Sequence, residues 1–139
     1  MKEEKLSSWT IFVLRICLSG IFINAGLAHL FQGKKTLARL MKSIGYPIIE
    51  KYQVASELVL LSGLGLLLFG IAFLLGVFTR FSAFVLLILL IMITLSVQIL
   101  DGIFHGPLWK NIAIAGGLLI FIFNQVNTYS LYPSKPIKS

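Results

Sequence analysis

Residues 54–78 read VASELVLLSGLGLLLFGIAFLLGVF, and Glu57 is the one charged side chain among them. A helix rises ~1.5 Å per residue, so about 20 apolar residues cross the ~30 Å hydrocarbon core of a bilayer. This stretch is long enough, and it has no polar stripe to turn toward water. Working outward, three further apolar segments have the same character: residues 9–31, 81–100 and 109–131, the last weakening after Val126. The fold class expected is therefore all-α. The chain should be a polytopic membrane protein, a bundle of four transmembrane helices forming a single domain over residues 1–139.

Composition supports this reading. Hydrophobic residues make up 58% of the 139 and charged residues 12%, against roughly 45–50% and about 25% in soluble domains. A soluble chain of this size could not hide so much apolar surface. The net charge of +7 has no continuous basic face behind it, which excludes nucleic acid as a partner. Lys and Arg instead gather at the edges of the apolar runs, where they meet lipid phosphates. Trp and Tyr favour the headgroup level, and Trp9, Tyr46, Tyr52, Trp109, Tyr129 and Tyr132 all fall at or beyond segment ends. Arg15 interrupts the first apolar run, and the run is long for a signal peptide, so it reads as a span.

The connections differ. Residues 32–53 are the one long link and open with an amphipathic piece. Leu37, Leu40, Met41 and Ile44 recur at helical spacing, with Lys34, Lys35, Arg39 and Lys42 between them. A short interfacial helix between spans one and two is expected, with Thr36 as its cap and Gly45 and Pro47 ending it. A tight turn at Thr79-Arg80 should join spans two and three. Gly102, Gly106 and Pro107 should break the helix before span four. Four crossings place both termini on one side. That side carries Lys2, Lys5, Arg80, Lys135 and Lys138; the other carries Lys34, Lys35, Arg39, Lys42, Lys51 and Lys110. The positive-inside rule assigns neither to the cytoplasm.

Polar groups at membrane depth are costly, ~2.5–3.5 kcal/mol at mid-helix on insertion scales, so each needs a reason. Arg15 and Arg80 lie toward the terminal side. His29, Glu57, Asp101 and His105 gather toward the far side, with Asn24 somewhat deeper. Arg15, Ser19, Phe22, Gly26 and His29 are spaced by four, three, four and three, which puts them on one helical stripe facing the interior. Glu57 could then meet His29 across two helices and hold or relay a proton. The plainer reading makes Glu57 a fastener satisfied by water, Lys51 or Lys110, His105 a solvated turn residue, and Arg15 a packing or snorkelling cation. Gly63, Gly65, Gly70, Gly76, Gly116 and Gly117, with Ala113, read as helix-packing positions. Cys17 is the only cysteine, which rules out an intramolecular disulfide, a CxxC pair and a thiolate metal cage. No metal site and no catalytic constellation is expected, and the two histidines provide no convincing haem ligation.

These features together resemble the DoxX-like family of small four-helix membrane proteins. The likeness lies in Arg15, Gly20-Ile21-Phe22 and Ala25-Gly26-Leu27-Ala28-His29-Leu30, where the family often has lysine at the position of His29. It continues in Glu57 with Gly63 and Gly65, in Gly76 and Thr79-Arg80, and in Pro107-Leu108-Trp109-Lys110-Asn111 leading to Ala115-Gly116-Gly117. The resemblance implies a multi-pass inner-membrane protein, since family members include proteins linked to respiratory oxidoreductases. One branch resembles a subunit of thiosulfate:quinone oxidoreductase, and another is tied to oxidative-stress complexes. Related families act as assembly factors and in some cases carry cysteine pairs, which this chain lacks.

The function expected is an accessory subunit of a membrane oxidoreductase with a site for quinone or another lipid-soluble ligand. Glu57, His29 and Asn24 are the polar groups offered to it. The alternatives are a non-catalytic scaffold or assembly factor and a small oligomeric transporter. Partners expected are the bilayer, membrane or peripheral oxidoreductase subunits and further copies of the chain.

Overall fold

The computed structural model describes residues 7–42, 47, 54–98 and 106–124. Among these, every regular element is helical. In chain order they are α1 (Ser8–Phe31), α2 (Gly33–Leu40), α3 (Ala55–Leu75), α4 (Thr79–Ile93) with its π-helical extension Thr94–Gln98, and α5 (Gly106–Phe123). Helices α1, α3, α5 and the segment Thr79–Ser96 are each long and apolar enough to cross a membrane. The chain is a four-span membrane bundle.

Contacts fix the directions. Gly26 of α1 lies against Gly63 and Leu67 of α3, while Phe22 and Ile23 lie against Gly70. Rising numbers on α1 meet falling numbers on α3, so the two run antiparallel. Gly65 packs on Leu89 and Phe69 on Phe81, which makes α4 antiparallel to α3. Asn111 meets Thr94 and Arg80 meets Ile122, so α5 runs antiparallel to α4. The α1–α3 pair is the most extensively packed, and α1 touches α5 more lightly.

Spans associate in lipid by close packing, because lipid tails offer apolar side chains the same surroundings that a neighbouring helix does. The two glycine-bearing helices show this directly. A Cβ on Gly26 would stand 2.8 Å from Leu67 N and 2.9 Å from Gly63 O, and one on Gly63 would stand 2.8 Å from His29 Cβ. Only hydrogen fits there. The α1 stripe expected from spacing faces inward, with Arg15, Ser19, Phe22 and Gly26 buried. Helix α3 repeats the same spacing in Val59, Gly63, Leu66, Gly70 and Phe73. Fully buried Leu86, Leu118 and Phe121 complete the core from α4 and α5.

Several local expectations need correction. The turn between spans two and three lies at residues 76–78, and Thr79 and Arg80 open α4. Gly76 takes φ 71°, and Val77 N–H donates to Ala72 O at 2.9 Å, the left-handed closure that glycine favours. Thr36 does not cap α2; Gly33 opens that helix one residue after α1 ends, and Thr36 N–H donates to Gln32 O within it. Gly106 and Pro107 sit in the first turn of α5, where a missing N–H breaks no helical bond. Of the expected packing positions Ala113 and Gly117 on α5, Gly117 receives Leu18 but Ala113 faces outward. Gly116 has open space beside it. The expected ends of spans three and four, at 100 and 131, and the helix stop at Gly45 lie outside the described residues.

Candidate functional site

Two polar sets sit at opposite ends of the bundle. At the terminal end, Arg15 is wholly buried, and its guanidinium carbon stands 5.7 Å from the Phe121 ring centre. Phe121 in turn meets Phe73 edge-on at 4.9 Å. Arg80 Nε donates to Ile122 O at 2.9 Å. Both cations therefore meet the last turn of α5, where free carbonyls concentrate negative partial charge. Ser19 Oγ donates to Arg15 O at 2.7 Å, which keeps that hydroxyl satisfied inside α1. This end is a charge-and-ring clasp between helices.

At the far end lies a half-open groove of about 250 Å³, lined by His29 and Leu30 of α1, Lys34 and Leu37 of α2, and Val59 and Leu60 of α3. Gly63 is what lets His29 sit there, since its missing Cβ makes the space for His29 Cβ. Ser62 Oγ donates its one proton to Val59 O at 2.9 Å. With the hydroxyl proton so placed, the 2.9 Å contact with His29 Nδ1 is a hydrogen bond from Nδ1–H to the hydroxyl oxygen, an assignment made from heavy-atom geometry. The neutral ring thereby has Nε2 as its remaining polar atom, and that atom is an acceptor. The arrangement suits a small amphiphile that brings an O–H or N–H.

A second depression of about 230 Å³ lies between α4 and α5 at the same end, bordered by Thr94 and Asn111. Asn111 Nδ2 donates to Thr94 Oγ1 at 2.8 Å, and Thr94 Oγ1 donates to Leu90 O at 2.6 Å. Its polar atoms are thus engaged in holding the two helices together, where the α4 helix loosens into its π-turn.

The remaining sequence candidates separate. Glu57 is exposed, in the first turn of α3, and accepts a 3.0 Å hydrogen bond from Ser56 Oγ. A carboxylate there complements the positive end of the helix. His29 is engaged by Ser62, and among the described residues no hydrogen bond joins it to Glu57. Asn24 points out of the bundle. Asp101 and His105 lie outside the described residues. No group of three His, Cys, Asp or Glu side chains able to hold a metal occurs among the described residues. The residue that spacing missed is Ser62. Its signal was present, because it adjoins Gly63 on the buried stripe of α3.

Comparison with known proteins yields one family model, DoxX, matching residues 10–99. The match runs from α1 through α4 and contains His29, Ser62, Arg15 and Arg80. No curated protein and no solved structure matches the chain.

Proposed function

The chain belongs to the DoxX family, and from that membership we infer that it is an accessory subunit of an inner-membrane oxidoreductase, with a quinol-class ligand seated beside His29. The observation that carries this reading is the His29 wall of the far-end groove. A quinone headgroup is a ring with two oxygens, and its tail belongs in lipid. The groove is apolar through Leu30, Leu37, Val59 and Leu60, so its residues fit such a ring. Nε2 of neutral His29 is an acceptor, which favours the reduced form, whose oxygens bear protons. Bound there, a quinol would supply two electrons and two protons on oxidation by a partner subunit, and His29 would hold it by accepting a hydrogen bond from one hydroxyl at Nε2.

The test is a thermal-unfolding titration of the purified protein with a short-tailed quinol and with its oxidised quinone. Stronger stabilisation by the quinol, lost in His29→Gln and reduced in Ser62→Ala, is the expected outcome. Equal stabilisation by both forms, or an unchanged response in His29→Gln, would remove the site.

Asn24 favours a second reading, a membrane scaffold. Its carboxamide is exposed on α1 about 10 Å inside the helix end by the ~1.5 Å rise, and it makes no hydrogen bond among the described residues. Polar side chains at that depth normally face another helix. Crosslinking through Asn24→Cys in native membranes should capture a partner helix, and capture of lipid alone would count against this reading.

A further inference from the structure

We propose that α2 is an anionic-phospholipid-binding element, with Lys34, Lys35, Arg39 and Lys42 as the headgroup site. Helix α2 follows α1 after the single residue Gln32. One residue reaches at most ~3.6 Å, so α2 is held at the edge of the hydrocarbon, in the headgroup layer.

Its two faces have separate chemistry. At ~100° per residue, with Lys34 as origin, Lys42 falls near 80°, Lys35 near 100° and Arg39 near 140°. Lys42 belongs to the turn that continues the helix. All four are exposed, as is Ala38 among them. Gly33, Thr36, Leu37 and Leu40 occupy the opposite arc and are half-buried against α3, α1 and the π-helical extension of α4. The packing face is thus used up by the protein, and the exposed arc is cationic apart from Ala38 and Met41.

Nothing in the described residues neutralises that arc. Residues 33–42 include no Asp or Glu, and among the described residues none of the four cations makes an ion pair. Four like charges within two and a half turns repel one another. A surface of phosphodiesters at the same depth removes that repulsion and adds attraction. A soluble anion could match the charge, but α2 is anchored beside lipid phosphates by its attachment to α1. The occupant is therefore the headgroup of an anionic glycerophospholipid. Lys34 also borders the His29 groove, so a lipid bound here would lie at the groove mouth. The lipid site does not depend on what the groove takes.

The test uses the full chain in neutral detergent, titrated with dioctanoyl phosphatidylglycerol, dioctanoyl phosphatidylcholine and glycerol 3-phosphate. Bound lipid is read by native mass spectrometry. Retention of the glycerol lipid about tenfold above the choline lipid is expected, with no retention of glycerol 3-phosphate alone. The combined Lys34→Gln, Lys35→Gln, Arg39→Gln and Lys42→Gln variant should fall to the choline level, whereas Lys110→Gln should keep the preference. Paired variants, Lys34→Gln with Lys35→Gln and Arg39→Gln with Lys42→Gln, should each lose part of it, so that misfolding of the fourfold variant leaves the test intact. His29→Gln should retain the lipid preference, which separates this site from the quinol reading. Equal retention of the two lipids would overturn the proposal. So would an undiminished preference in the paired variants, or binding of glycerol 3-phosphate equal to that of the lipid. Loss of a copurifying acidic protein with the lipid preference intact would overturn it in favour of a protein partner.

Discussion

Gly26 and Gly63 face one another across α1 and α3 with no room for a methyl group on either. Alanine at Gly26 should destabilise the protein by ~1–3 kcal/mol, the usual cost of overpacking. Gly116→Ala should be near neutral, because nothing lies within 4 Å of that position. Thermal unfolding in detergent checks both. A second outcome concerns the histidine. Ser62→Ala leaves the ring of His29 without the acceptor that fixes its tautomer, so quinol affinity should fall about tenfold, or ~1.4 kcal/mol. An isothermal titration reads that loss. These residues also mark the limit of one-dimensional reading. The inward stripe of Arg15, Ser19, Phe22 and Gly26 was legible because helical spacing alone defines it. The partner of His29 was not, since charge draws attention to Glu57. Glu57 and Ser62 are five residues apart, about 140° around the helix at 3.6 residues per turn, and only one of them can face α1.

Elements end where backbone geometry demands it, and the α3–α4 turn is the clearest case. Gly76 at φ 71° closes α3 in a conformation that costs L-residues ~1–2 kcal/mol. Gly76→Ala should destabilise by that amount in a chemical-denaturant titration in mixed micelles. The turn was expected three residues later, because Thr79 and Arg80 are the polar residues and polarity is the visible signal. The left-handed glycine decides the boundary, while Arg80 is occupied in holding Ile122 O. At the start of α5, Pro107 read as a breaker and is a first-turn residue. Proline has both roles, and only the direction of the following chain distinguishes them. Helix α2 was legible from its amphipathic spacing, but its packing on three helices was not, because half-buried Thr36, Leu37 and Leu40 would look the same lying on lipid.

Across the whole molecule, the bundle closes between its first and last spans through few contacts. Arg15 over Phe121 and Leu18 against Gly117 tie α1 to α5 at the terminal end. Arg15→Leu should remove a cation–π contact of ~0.5–2 kcal/mol, and faster hydrogen exchange in the last turn of α5 should report it. The opposite end keeps His29, α2 and the groove together in the headgroup layer. Every functional assignment depends on that separation of ends, which follows from four alternating crossings. Accessibility labelling in sealed, oriented vesicles tests it most directly, with single cysteines placed at Ser7, Lys35, Phe78 and Gly106 in a Cys17→Ala background. Ser7→Cys and Phe78→Cys should react from one side, and Lys35→Cys and Gly106→Cys from the other. Labelling of Ser7→Cys and Lys35→Cys from the same side would contradict the fold and the site built on it.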